Sequence, residues 1–316
     1  MTAMDTLKNA LEASLKPTPT VMLVGLAVVL LFPVLLHFIL SASTPYNTLP
    51  SVLLVGPSGA GKTALLTLYE RGLLPKTEKP APAQTHTSQT PASVELAVNE
   101  DGTSSFRDDL DASGSTAKKF LLVDTPGHAK LRRFALSRLR NIPTTTSTGK
   151  TSKAKKDSKL KAVVFVVDAA ALADSDGRGD SLAATAEYLY EVLLALQKRM
   201  GSSQTSRMPS SVPVLVAANK LDLFSALPAA LVKSQLETEI GRIRKTRSRG
   251  LLDSGVGADD LAATEESDNW LGEYGSEKFT FAQMLEFYTE VDVIGGNVAG
   301  DGPGADKWWK WIAERI

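Results

Sequence analysis

The stretch Gly56-Pro57-Ser58-Gly59-Ala60-Gly61-Lys62-Thr63 constrains this chain more than any other. It has the spacing Gly-x4-Gly-Lys-Thr. A run of strand formers, Ser51 to Val55, precedes it, and a helical pattern, Ala64 to Arg71, follows. Strand, glycine-rich loop and helix in that order make a phosphate-binding loop. The glycines let the backbone wrap a polyphosphate with no Cβ in the way. The first turn of the helix presents unpaired N–H groups to the anion. In such a loop Lys62 reaches the β- and γ-phosphates, and the Thr63 hydroxyl binds Mg²⁺.

The rest of the chain alternates strand and helix. Strands are expected at Ser93 to Val98, Lys119 to Val123, Ala162 to Val167, Pro213 to Ala218 and Phe287 to Val293. Helices are expected at Ala129 to Asn141, Ser181 to Met200, Ala229 to Arg244 and Trp308 to Ile316. AVVFVV and PVLVAA are continuous apolar runs, as strands buried on both faces require. This predicts an α/β P-loop domain with a mainly parallel sheet, covered by helices on both sides.

Two further stretches stand just past predicted strands: Asp124-Thr125-Pro126-Gly127-His128 and Asn219-Lys220-Leu221-Asp222. Ligands of open α/β sheets bind beyond the carboxyl ends of the strands, so all three stretches converge on one rim. Asp124 is expected to hold Mg²⁺ through a water, since a hard cation takes oxygen ligands. Gly127 leaves its N–H bare for the γ-phosphate. Asp222 can accept two hydrogen bonds from guanine, at N1–H and the 2-amino group. Against adenine the same carboxylate would face a lone pair, at a cost of several kcal/mol. The expected cofactors are therefore GTP and Mg²⁺. Asn219 is expected to brace the loops around the base, and the Lys220 stem to cover it. His128 stands where many small GTPases carry a glutamine that positions water, so it is the candidate catalytic residue, and the rate of hydrolysis stays open. A threonine from the 73–91 loop completes the Mg²⁺ site. Thr85, Thr87 and Thr90 are the candidates, and Thr87 is favoured.

Val21 to Leu40 is an uncharged run of twenty apolar residues, the length that crosses a bilayer's hydrocarbon core. It predicts one transmembrane helix at 21–40, after a short N-terminus at 1–20 and before a linker at 41–49. A cleaved signal peptide is the competing reading, with SAST at 41–44 as its weak cleavage site. Flanking lysines do not settle the orientation. A nucleotide-binding domain needs cytosolic nucleotide, so the expected arrangement is a lumenal N-terminus and a cytosolic domain at 50–316. Polar inserts are expected near 99–117, 144–161 and 248–275, the second with six lysines. The 35 basic and 35 acidic side chains balance, which argues against a dedicated DNA binder. Zero cysteines exclude disulfides and thiolate metal sites.

Several features together are similar to the β-subunit family of the signal recognition particle receptor. They are the span just before GPSGAGKT, the THTS at 85–88, DTPGHAKLR at 124–132, NKLD at 219–222 and the tryptophan-bearing terminal helix. The usual Ser-Ala-Lys guanine loop is absent; VDVIGG at 291–296 stands near its place, with backbone groups at Ile294 and Gly295 as its expected substitute. The resemblance implies a single-pass receptor subunit of the endoplasmic reticulum membrane, which holds the receptor's α subunit in its GTP form. Through that partner it would serve the signal recognition particle, the ribosome and the translocation channel. The alternative is a membrane-anchored GTPase of the trafficking type, recruiting coat or tether proteins.

Overall fold

The sheet has seven strands in the order β3-β2-β4-β1-β5-β6-β7. These are β1 (Ser51–Val55), β2 (Ala92–Val98), β3 (Ser104–Ser105), β4 (Lys118–Asp124), β5 (Leu160–Asp168), β6 (Val214–Asn219) and β7 (Val291–Gly295). The structure is a computed structural model that describes residues 19–42, 49–71, 85–98, 104–105, 118–140, 160–173, 180–201, 211–253, 270–273, 276, 278–300 and 304–316. The helices are α1 (Pro19–Ala42), α2 (Lys62–Arg71), α3 (Arg133–Arg140), α4 (Asp180–Gly201), α5 (Ala229–Asp253) and α6 (Asp306–Ala313).

Strands β4, β1, β5, β6 and β7 run parallel, and β2 pairs antiparallel with both β4 and β3. The period of two in the strands sorts the core into two layers. Leu53, Val55, Val163, Phe165, Val167, Val214 and Val216 face α3, α4 and α5. Val52, Leu54, Ala162, Val164, Val166, Leu215 and Ala217 face α2 and α6. On that second face Trp308 is fully buried and its Nε1–H donates to the Ile294 carbonyl at 2.9 Å. Trp309 lies 4.9 Å from the ring of Tyr69.

Three boundaries differ from the sequence reading. The helix expected over 129–141 is a 3-10 turn, Ala129–Leu131, followed by α3. His128 caps the turn, its Nδ1 accepting from the Lys130 N–H. The strand expected from Phe287 starts at Val291 instead, behind a 3-10 helix, Phe281–Phe287. That helix closes at Tyr288, which takes a left-handed φ of 53° while its N–H bonds the Leu285 carbonyl. α5 runs to Asp253, past the expected end at Arg244, because the charged residues after Arg244 form helix readily.

The N-terminal unit, Met1–Asn47, is separate from the unit Thr48–Ile316. Helix α1 has 24 residues and Pro33 inside it. Its described large apolar side chains, from Met22 to Val34, are between 56% and 70% exposed. Among the described residues no helix is long and apolar enough to cross a membrane, and the side chains of α1 beyond Val34 lie outside them. The expected N-terminus up to residue 18, most of the 41–49 linker, and most of the inserts at 99–117, 144–161 and 248–275 also lie outside the described residues. At the insert margins, β3 falls within 99–117, β5 begins at Leu160, and Leu271 is fully buried.

Candidate functional site

The phosphate loop joins β1 to α2 at the carboxyl edge of the sheet. Gly56, Gly59 and Gly61 all take positive φ, at 141°, 79° and 100°. A Cβ at Gly56 would strike the Val166 backbone of β5, and one at Gly61 would strike the Asn219 amide. Gly61 thus lets the loop pack closely against the Asn-Lys-x-Asp turn. Lys62 is 4% exposed, and its ammonium donates to the carbonyls of Gly56 at 2.9 Å and Pro57 at 2.7 Å. Burial pushes its pKa down to about 8, against the opposing pull of Asp124. Gly127 lies on this loop: a Cβ there would come within 2.5 Å of the Lys62 ammonium and 2.6 Å of the Ser58 nitrogen.

A cleft opens over the loop. It is lined by Ser58, Gly59, Gly61, Lys62 and Thr63 of the loop, by Thr85 to Ser88, and by Gly127. Thr85 and Thr87 both face it, while Thr90 is exposed outside its lining. Thr63 donates its hydroxyl to Asp124 Oδ2 at 2.7 Å. Asp124 is fully buried, and its Oδ1 has no hydrogen-bond partner. Burial raises its pKa, opposed by the Thr63 hydroxyl and the Lys62 charge. A hydroxyl and a carboxylate with one unsatisfied oxygen are the kind of donors a hard cation takes. Among the described residues no three His, Asp or Glu side chains cluster. That suits Mg²⁺, which takes one or two carboxylates and completes its shell with phosphate and water.

His128 follows Gly127 but is exposed and outside the cleft lining. Its Nδ1 is engaged by the Lys130 N–H at 3.3 Å.

At the other end Asn219 joins three loops. Its amide donates to the Ala60 carbonyl at 2.7 Å, and its Oδ1 accepts from Lys220 N–H at 2.8 Å and Val298 N–H at 3.1 Å. Asp222 is exposed, and a Cβ at Gly300 would meet its carboxylate at 2.8 Å. The loop beside Asp222 is therefore 296–300. That loop follows directly on Ile294 and Gly295, where the sequence placed the expected backbone contact. The Ile294 carbonyl bonds Trp308, and Gly295 pairs with Ala218 inside the sheet.

Several supporting residues went unassigned in the sequence. Thr125 donates its hydroxyl to the Leu54 carbonyl at 2.7 Å, tying the turn after β4 to β1. Asn297 is 4% exposed and holds its loop through Ala299 O, Gly300 O and Gly304 N–H. Asp168 pairs with Lys220. Asp168 had one legible signal, its place at the end of AVVFVV. Asn297 had none, because a lone Asn in a glycine-rich loop reads as turn chemistry.

A phosphate loop, a buried Asp with a glycine three residues on, and an Asn-Lys-x-Asp turn on one edge of this sheet define a small GTPase-type G domain. The family described as "Signal recognition particle receptor beta subunit" matches residues 47–286. The chain belongs to that family. It is 30% identical over 316 residues to the Homo sapiens signal recognition particle receptor subunit beta, covering 98% of this chain and 91% of that one. It is 28% identical over 270 residues to the Saccharomyces cerevisiae subunit, covering 84% of each. Its structure is similar to that of the Chaetomium thermophilum SRb-GTP/SRX complex, with a TM-score of 0.66 and 52% identity over 84% of this chain and 100% of that one. It is also similar to SRb-GDP-Mg from the same organism, with a TM-score of 0.59 and 52% identity over 86% of this chain and 100% of that one.

Proposed function

We propose that this chain is the guanine-nucleotide-binding membrane subunit of a signal recognition particle receptor, holding the α subunit at the endoplasmic reticulum in its GTP form. Lys62 and the phosphate-loop N–H groups bind the phosphates. Thr63 and Asp124 hold Mg²⁺, with Thr87 as the switch ligand. Mg²⁺, when bound, neutralises phosphate charge. Gly127 reads the γ-phosphate by a backbone N–H, and Asp222 reads the base. His128 swings from its cap on Lys130 to orient water, so hydrolysis is slow without a partner. The solved relatives titled SRb-GTP and SRb-GDP-Mg support the nucleotide and the ion. The apolar surface of α1 supports a membrane anchor, since exposed apolar area of that kind seeks a membrane or a partner. The trafficking alternative gains no support from these relatives.

The single observation that carries the nucleotide reading is Asn219. One amide links the phosphate loop at Ala60 to the base loop at Val298. Asp222→Asn tests it. Xanthine carries a carbonyl where guanine has its 2-amino group, so an amide can donate where the carboxylate accepted. The variant is expected to lose GDP and gain xanthosine diphosphate in competition binding. A retained guanine preference would remove Asp222 from the base site.

A further inference from the structure

Asp168 ends β5, where it stands in register with Asn219 on β6. Its two carboxylate oxygens do different things. Oδ1 accepts from the N–H groups of Ala170 and Ala171, at 3.1 Å and 3.0 Å, and so fixes the carboxylate against its own turn. Oδ2 points across to the next strand and meets the Lys220 ammonium at 2.5 Å. Lys220 is already constrained at its backbone. It takes a φ of 67°, in the left-handed region that few non-glycine residues adopt, and its N–H is held by Asn219. Both ends of the four-carbon stem are thus held.

An exposed ion pair adds little to stability, and here the side chains are 35% and 19% exposed. A lysine stem, however, has large rotamer freedom, which a ligand resting on it would have to remove. A contact that removes that freedom beforehand strengthens binding without adding a contact to the ligand. We propose that Asp168 is a positioning residue for the nucleotide: it holds Lys220 so that the stem is a preformed wall over the face of the guanine base. This rests on the base-site reading of Asn219 to Asp222 given above. Asp168 touches no part of the nucleotide itself.

Asp168→Asn isolates the effect, because the amide oxygen still accepts from Ala170 and Ala171 while the charge facing Lys220 is gone. Lys220→Met removes the same pair from the other side and leaves the Asp168 turn intact. The measurement is the dissociation rate of N-methylanthraniloyl-GDP from the full chain in detergent, with Mg²⁺ present. Each single variant is expected to release the nucleotide about tenfold faster, or about 1.4 kcal/mol. The double variant is expected to release it no faster than Lys220→Met alone, because one contact is lost in all three. A purely structural Asp168 would not show that coupling. Wild-type release in Asp168→Asn, or multiplied effects in the double variant, would overturn the proposal. So would wild-type release in Lys220→Met, which keeps the test decisive if Asp168→Asn folds poorly. The wild type's preference for guanine over adenine nucleotides is measured alongside. Its absence would sink the base-site reading and this inference together, whereas its presence with unchanged release would sink the inference alone.

Discussion

At the scale of single residues, the site holds two buried charged groups, Lys62 and Asp124, whose partners are only partly supplied by protein. Lys62 shows this in its protonation. Its pKa of about 8 reflects burial in the loop, with Asp124 pulling the other way. In nucleotide-free protein the charged lysine is therefore costly, and that cost is fully present below pH 8. Between the folded value and the ordinary value of 10.5 the unfolded chain binds more protons than the folded one. Stability then rises with pH across that window. Phosphates reverse the preference by favouring the charged form. GDP binding at about pH 9 is thus expected to take up protons, and at pH 7 to take up almost none. Calorimetry in buffers of different ionisation enthalpy reads this directly, and equal uptake at both pH values would contradict the buried-lysine account. Asp124 complements the picture, with its unsatisfied Oδ1 beside the Thr63 hydroxyl. These residue types were readable from spacing. Their supports were not, because Thr125 acts through a tertiary hydrogen bond to the Leu54 carbonyl and Asn297 gathers its own loop as far as Gly304.

At the scale of elements, the two faces of the sheet are stabilised differently. The α3–α4–α5 side is mainly aliphatic, and the α2–α6 side depends on the tryptophans of a short terminal helix. Trp308 is fully buried, bonds the Ile294 carbonyl on β7, and would be 2.9 Å from a Cβ at Gly296. Trp308→Ala is expected to destabilise the domain by about 3–5 kcal/mol. It should also weaken nucleotide binding, since β7 leads straight into the loop beside Asp222. Urea unfolding and GDP affinity check both, and a change under about 1 kcal/mol would mean that α6 is dispensable. Strand periodicity made the central sheet legible, because β1, β5 and β6 are buried on both faces and read as apolar runs. The boundary near β7 was illegible for a physical reason. Aromatic and β-branched residues from Phe287 to Val293 score as one strand, and only the left-handed backbone at Tyr288 splits them. The loop that reaches Asp222, 296–300, begins just past the residues the sequence pointed to, Ile294 and Gly295.

At the scale of the whole molecule, the proposed function couples a nucleotide switch to a partner. Thr85 to Ser88 and Gly127 line the cleft. Segments of that kind are ordered by γ-phosphate and Mg²⁺ contacts and released by hydrolysis. α3 follows directly, with Arg133, Arg138 and Arg140 exposed and Arg132 stacked 4.5 Å over the Tyr188 ring. The proposed docking surface for the α subunit is therefore the 80s loop together with α3, and it exists fully only in the GTP form. A partner shifts such an equilibrium only as far as its affinities for the two forms differ. The most direct measurement is the affinity of the receptor α subunit's N-terminal domain for the full chain, loaded with a non-hydrolysable GTP analogue or with GDP. The account predicts binding at least about tenfold tighter with the analogue, or about 1.4 kcal/mol. Equal affinities in the two forms would contradict it, and would make the nucleotide a structural component of a constitutive anchor.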